Sequence, residues 1–460
     1  MASNAEAIYL ASPVWLQNLL VTGMGYRLFQ KRYTGLYHHL LQQARDAREW
    51  TPAQRETWQN QQLHRMVRHC RNAIPYYQRL FAEHGLHEND ITALSDLHKI
   101  PPLDKQTVRE NAEELRHAGE KPWLVQHTSG STGTPLALGV NEHTYKLAMA
   151  LVVDHEESHG VPFGARRATF AGRMVQPPDN MSPPFARYNR AENQRLYSAY
   201  HLNDQTFDWY RRDLDRFQPR ELIGYPSAIS ELASCYLRSA TEPKFQPKAI
   251  VTNSETLLDW QREKIESVFN CSVFDYYGTA EYLVFAGQDQ SGLYRTNPLL
   301  GIAEVCTSEQ QPDSGPILAT TLTNTCMPLL RYRIGDTATL ESPRAPGSGP
   351  VSILKAINGR EDDYIQTPDG RRLGRMDHIF KGVRGIREAQ IIQTAPDHCT
   401  VKLVPEGLLE PSDSDTIRAN FRKRVADAMV LTIEPVESIP RGRNGKFKNV
   451  IGMDGIDHGY

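Results

Sequence analysis

A chain of 460 residues is too long for one ordinary hydrophobic core, so two or three structural units with a sizeable interior are expected. Its 52 basic and 54 acidic side chains leave a formal charge of only −2, which disfavours nucleic acid as the main ligand. The six cysteines (Cys70, Cys235, Cys271, Cys306, Cys326 and Cys399) contain no CxxC pair, which fits a reducing, cytoplasmic compartment better than a disulfide scaffold.

An apolar stretch runs from Ile8 to Tyr26, but Glu6 precedes it, no basic region or small-residue cleavage site frames it, and Gln17 and two glycines interrupt it. It reads as a helix packed on the main domain. The alternative is a peripheral membrane contact through Trp15, Leu19 and Leu20 with Arg27, Lys31 and Arg32. From about Glu49 to Gly85 apolar residues recur at helical spacing, broken by Pro75, which predicts helix, turn, helix. After Trp123 the texture changes to short β-rich runs (Ala168 to Phe170, Glu221 to Ile223, Ala249 to Thr252, Ser272 to Tyr276) separated by amphipathic stretches. That alternation predicts an α/β fold with a largely parallel, helix-covered sheet.

From Ile302 to Leu340 the pattern is mostly strand, with runs at Pro316 to Leu322 and Leu329 to Ile334, and predicts a smaller β unit. Glu341 to Pro350, rich in Pro and Gly, reads as an exposed loop. Beyond Gly359 strands are expected near Glu388 to Gln393 and Cys399 to Val404, with a helix from Ser414 to Met429. The last hundred residues are enough for a small α+β domain.

The clearest chemical signal is His127-Thr128-Ser129-Gly130-Ser131-Thr132-Gly133-Thr134-Pro135, between a β run ending near Gln126 and another beginning at Leu136. Its glycines let backbone N–H groups converge, and its five hydroxyls add neutral donors for several phosphate oxygens. It is not a Walker A loop, because no lysine follows the second glycine. A flexible Ser/Gly hairpin tip has the same composition, and the loop alone does not choose between the two.

Downstream come Ser254-Glu255, Tyr277-Gly278-Thr279-Ala280-Glu281, Tyr332-Arg333-Ile334-Gly335-Asp336, Gly359-Arg360-Glu361-Asp362-Asp363 and a late Lys446. In this order they resemble the adenylate-forming superfamily of acyl-CoA synthetases, luciferases and adenylation domains. Within it the chain resembles the phenylacetate-CoA ligase branch, and especially the subgroup associated with capsular polysaccharide biosynthesis, through Tyr225-Pro226-Ser227, Pro328 to Tyr332 and Gln390 to Gln393.

The resemblance implies a large N-terminal adenylation domain (1–359), built of helix-covered sheets plus a β subdomain, and a small mobile C-terminal domain (360–460). It implies that ATP and Mg²⁺ activate a small-molecule carboxylic acid as an acyl adenylate. Thr128 and the loop residues 129–133 would hold phosphates, and Glu281 would hold Mg²⁺, since a hard cation wants carboxylate oxygen. Asp275, Tyr276, Tyr277, Gly278 and Thr279 would face the nucleotide with Ser254 and Glu255, although core packing is an alternative for Tyr276. Asp336 would accept from the ribose hydroxyls, Arg360 would contact ribose and phosphate, and Asp362 would sit at the hinge. Lys446 would bring a cation to the α-phosphate. Without the resemblance, Glu281, Asp336, Arg360 and Lys446 are ordinary surface or turn residues.

Phe170, Arg173, Tyr225, Gly278 and Ala280 are expected near the acid. The acyl acceptor is an amine, an amino sugar, a carrier thiol or CoA. Tyr364 to Gly374 departs from the Arg-Gly-Val-Asn-type turn of the phenylacetate-CoA ligases, so CoA is not singled out. Phe285 to Tyr294 lacks the Cys and His with which some relatives could hold zinc, and no zinc is expected there. The competing readings are an acyl-CoA ligase acting on an aryl acid, a noncatalytic nucleotide-binding scaffold, and a membrane-surface component of a polysaccharide assembly complex.

Overall fold

The computed structural model describes residues 4–453 except 128–135, 173–174, 178, 361–363, 369–371, 374–375, 381, 384, 408–409, 426–428 and 442–446. By contact the chain divides into two compact units. The first comprises residues 1–29, 159–275 and 361–460, and the second comprises 30–158 and 276–360.

In the first unit the predicted parallel sheet is present. Ala249–Asn253, Glu221–Gly224, Arg167–Ala171 and Gln194–Ser198 lie side by side in parallel, and Ala186–Asn189 closes the edge antiparallel. The last two strands were not evident in the sequence, because Arg187, Asn189, Gln194 and Arg195 break the apolar pattern. Helices Phe207–Phe217, Pro226–Arg238 and Asp259–Phe269 cover the sheet and bury Tyr210, Leu214, Ile229, Leu232 and Ile265. Gly224 has no room for a side chain: a Cβ there would meet the Phe170 carbonyl oxygen at 1.8 Å.

The N-terminal helix Val14–Tyr33 tacks onto the edge strand through its polar side. Asn18 accepts from Tyr188 N at 2.9 Å, the Thr22 hydroxyl donates to the Tyr188 carbonyl at 3.2 Å, and Gln17 accepts from Arg187 Nε at 2.5 Å. The two bonds to Tyr188 satisfy backbone groups that an edge strand leaves unpaired, and the third ties the Arg187 side chain to the helix. Trp15 (69% exposed), Leu19 (60%) and Met24 (54%) face outward, so this helix packs with its polar side inward.

The C-terminal stretch of this unit has its own sheet, with Ile386–Ala395 and His398–Pro405 antiparallel and Val430–Pro435 and Val450–Ile451 parallel at the flanks. Helix Pro411–Val425 covers it through Ile417, Phe421 and Val425, over a separate core that includes Ile391, Val401 and Leu403. Charge joins this sheet to the helices that precede it. Arg387 forms two bonds to Glu231 (2.7 and 2.6 Å), and Glu406 takes Lys264 (2.7 Å), Ser234 (2.8 Å) and Arg238 (3.1 Å).

In the second unit, helices Pro52–Ala73 and Pro75–Glu83 form the predicted pair. Thr51 and Gln54 make a reciprocal cap at the first, and Pro75 begins the second. Leu124–His127 and Ala137–Val140 pair antiparallel, with His127 opposite Ala137. Gly301–Val305, Ser314–Thr321, Tyr332–Thr339 and Ala356–Arg360 build an antiparallel sheet over Ile302, Ala319 and Ala338.

The expected strand Leu329 to Ile334 begins only at Tyr332. Arg331 is in the left-handed region (φ 49), and its guanidinium spans Glu304 (3.0 and 3.1 Å) and the Ile100 carbonyl (2.7 Å). Those bonds hold Leu329 to Arg331 as a crosslink instead of a ladder. Among the described residues no helix is long and apolar enough to cross a membrane.

Candidate functional site

The residues singled out in the sequence fall into both units. In the second unit, Tyr276 to Gly278 pairs antiparallel with Phe285–Gln288 and then turns through Thr279 to Glu281. Thr279 shapes that turn: its carbonyl accepts from Tyr282 N at 3.0 Å and its hydroxyl from Leu283 N at 3.1 Å. Gly278 and Ala280 are exposed and Glu281 is half-buried. A side chain at Gly278 would meet nothing nearer than the Tyr276 ring at 4.0 Å, so the strand end is open.

Tyr276 stacks on Phe285 (5.4 Å between rings), and the buried His155 lies edge-on to it at 6.0 Å. Gly287 makes that packing possible, since a Cβ there would come within 2.5 Å of the imidazole. Tyr276 therefore takes part in aromatic packing. His155 and Gly287 escaped the sequence reading because nothing in their spacing marks them.

Tyr277 points its hydroxyl at Asp336, donating to Oδ2 at 2.6 Å. Asp336 lies in Tyr332–Thr339 directly opposite Arg360 in the ladder, which shifts by one residue between Thr337 and Ala338. Bulges of this kind commonly re-aim a side chain beside a functional site. A carboxylate has about four lone-pair sites, so the Tyr277 bond orients Asp336 without exhausting its capacity to accept.

In the first unit, Tyr225 follows the carboxyl end of Glu221–Gly224, where its N–H donates to the Phe170 carbonyl at 2.8 Å. The Phe170 ring is fully buried and stacks on Tyr197 at 4.9 Å, so this side chain belongs to the core. Asp275 is buried and accepts from the Thr252 hydroxyl at 2.6 Å. Ser254 is exposed in the left-handed region (φ 69), a strained conformation for a residue with a side chain.

Glu255 receives two backbone N–H groups, from Phe447 at 2.6 Å and from Ser227 in the first turn of Pro226–Arg238 at 3.2 Å. Burial raises its carboxyl above the ordinary glutamate range, against the pull of these donors and of Arg441. Arg441 bonds Glu388 at 2.5 Å and lies 4.6 Å from the Phe447 ring centre. Residues 441 and 447, which flank the segment carrying Lys446, are thus fastened to Glu388 and Glu255. The sequence carried no signal for Arg441.

Thr128, Ser129, Gly130, Ser131, Thr132, Gly133, Arg173, Asp362 and Lys446 lie outside the described residues, and of Arg360 only the strand placement is described.

Residues 365–452 match the family described as the CapK C-terminal domain. The chain is 28% identical over 402 residues to the protein CapK of Staphylococcus aureus, covering 86% of this chain and 88% of that protein. It is 24% identical over 320 residues to the phenylacetate-coenzyme A ligase of Pseudomonas putida, covering 67% of this chain and 71% of the ligase. Among solved structures, 2-hydroxyisobutyryl-CoA ligase in its postadenylation state with R3-HIB-AMP superposes with a TM-score of 0.64 at 19% identity, over 88% of this chain and 91% of the other.

Proposed function

We propose that this chain, a CapK homologue with the adenylate-forming enzyme fold and an AMP-forming ligase by kinship with the phenylacetate-CoA ligases, activates a small carboxylic acid with ATP and passes the acyl group to a thiol. The observation that supports this best is the meeting of separated motifs. Tyr277 bonds Asp336 across 59 positions, and Asp336 is the ladder partner of Arg360.

In the first step a carboxylate oxygen of the acid attacks the α-phosphorus of ATP. The bond to the bridging oxygen breaks, pyrophosphate carries away the electron pair, and an acyl adenylate remains. The open strand end at Gly278 and the oriented Asp336 fit a nucleotide, with Asp336 accepting from the ribose hydroxyls and Tyr277 fixing its geometry. Glu255 and Ser254 border the base. The loop 128–133 takes phosphate oxygens. Lys446 neutralises charge at the α-phosphate.

Mg²⁺, when bound, would neutralise charge on the phosphates. Glu281, a half-buried carboxylate on the turn, suits an ion that takes one or two carboxylates beside phosphate oxygens. In the second step the thiolate attacks the acyl carbon and AMP leaves. Rotation of residues 360–460 about Asp362 exchanges the face presented to the adenylate.

CoA is favoured as acceptor because the relatives named for an activity are CoA ligases, and an amine or amino sugar is the competitor. The test is acid-dependent ATP/pyrophosphate exchange over a broad acid panel, followed by discharge with CoA and with amines. Absence of exchange with every acid, together with no binding of a stable acyl-AMP mimic, overturns activation. Faster discharge by amines overturns the thiol acceptor.

A second reading, in which the enzyme works against an anionic bilayer in polysaccharide assembly, is favoured by the outward apolar residues of Val14–Tyr33, a helix that contains no acidic residue and exposes Arg27.

A further inference from the structure

We propose that a basic cleft at the amino-terminal ends of the parallel strands in the first unit binds a soluble ligand carrying a diphosphate group. The cleft has a volume of about 800 Å³ and is walled by Arg166, Arg195, Arg216, Arg220, Tyr188 and Phe217. It is distinct from the residues assigned above to acid and nucleotide. Tyr225 and Ser254 follow the carboxyl ends of these strands, where open α/β sheets ordinarily take their ligands. The arginines gather at the other ends.

Strand register brings them together. Arg167 pairs with both Gln194 and Glu221, so the residues just before and just after these strand starts share one edge. Arg220 N donates to the Arg166 carbonyl at 2.8 Å, and Arg216 and Phe217 end helix Phe207–Phe217.

The charges in the cleft are not balanced. Arg195 lies 3.0 Å from the buried Asp213 and over the Phe217 ring, and the neighbouring Arg167 is bonded to Glu221 at 2.6 Å. Among the described residues, no carboxylate comes within ion-pair distance of Arg166, Arg216 or Arg220, and all three are exposed. Three guanidiniums around one cleft repel one another, and an anion of matching charge relieves that repulsion. A single phosphate, at roughly −1.5 to −2 near neutral pH, falls short; a diphosphate reaches about three negative charges and offers the oxygens that guanidinium forks clasp.

The walls are built to hold this shape. Arg166 Nε donates to the Gln218 carbonyl at 3.0 Å. Asn193, left-handed at φ 48, accepts from the Tyr188 hydroxyl at 3.0 Å and donates to the Gly164 carbonyl at 3.1 Å. Phe217 is buried, and Tyr188 stands edge-on to it at 6.2 Å. A cleft of this volume accommodates a small molecule, and the two rings give an apolar wall for a planar group esterified to the diphosphate.

The experiment is titration calorimetry on the full-length chain with inorganic pyrophosphate, ADP and orthophosphate, using wild type, Arg216→Gln/Arg220→Gln, Arg166→Lys and Asp336→Asn, each checked by circular dichroism. Pyrophosphate or ADP is expected to bind wild type and to bind Arg216→Gln/Arg220→Gln about a hundredfold more weakly, since each of the two lost charge-assisted forks is worth roughly a factor of ten. Arg166→Lys, which keeps the charge and loses the fork, loses a smaller factor and serves as the independent variant. Tighter pyrophosphate than ADP identifies the free diphosphate; tighter ADP identifies a diphosphate ester. Equal affinities in wild type and both arginine variants overturn the proposal, as does orthophosphate binding as tightly as pyrophosphate. Loss of binding in Asp336→Asn with the arginine variants unaffected moves the ligand to the nucleotide residues and overturns it too.

Discussion

The hydroxyl of Tyr277 is bonded to Oδ2 of Asp336 at 2.6 Å, joining the end of one strand to the middle of another. A phenol that fixes a carboxylate has its effect on whatever that carboxylate grips. Tyr277→Phe is therefore expected to raise the KM for ATP about tenfold with kcat nearly unchanged, the scale of one hydrogen bond to a charged group. Asp336→Asn, which removes the grip itself, is expected to cost about 10² in kcat/KM. Exchange kinetics at varied ATP decide this, and an unaltered KM in Tyr277→Phe removes the positioning role.

Lys446 stands next to Phe447, whose N–H is held by Glu255. Lys446→Ala is expected to lower acid-dependent pyrophosphate release by roughly 10² to 10³ while the protein stays folded. Near-normal release with an intact circular dichroism spectrum takes Lys446 off the catalytic list.

Glu406 collects Lys264, Arg238 and Ser234 at one carboxylate, and the Lys264 side chain is only 9% exposed. Glu406→Ala leaves that ammonium enclosed and without its counter-ion, a change that costs roughly 3 kcal/mol in comparable buried pairs. Lower urea stability and faster hydrogen exchange in Ile386–Ala395 and His398–Pro405 are expected. Unchanged protection in those strands contradicts the anchoring role.

Asp154 is buried in helix Glu142–Ser158, and burial pushes its carboxyl up to about 6, against the pull of Arg48 at 3.1 Å. In the unfolded chain the same group ionises near the ordinary aspartate value of 3.8. Between these values the folded state binds more protons, so this residue's contribution to stability falls as pH rises from about 4 to about 6 and stays low above that. Asp154→Asn is expected to flatten this slope. Urea titrations across the window test it, and an equal slope in wild type and variant counts against the assignment.

The outward Trp15, Leu19, Leu20 and Met24 predict recruitment to anionic vesicles. Flotation should carry full-length protein up with phosphatidylglycerol-containing liposomes and leave it behind with neutral ones, and Trp15→Ser/Leu19→Ser should lose the effect. Equal flotation of the double variant rules the surface out.

Much of this protein was legible from residue order. The parallel strands at Ala168, Glu221 and Ala249, the helix break at Pro75 and the strands flanking residues 128–135 follow from short-range periodicity and from proline's missing N–H. The motif residues could be named for the same reason, since each carries its chemistry in its own side chain.

Tertiary structure alone decided which of these residues meet. Tyr277 with Asp336, Glu255 with Phe447, Arg441 with Glu388 and the arginines at the strand starts are partners set by ladder register and helix docking, which depend on contacts between positions far apart in the chain. It also decided that Phe170 fills the core and that Val14–Tyr33 turns its polar side inward. Local patterns encode conformation because backbone preferences are short-ranged, whereas burial and pairing are properties of the packed whole.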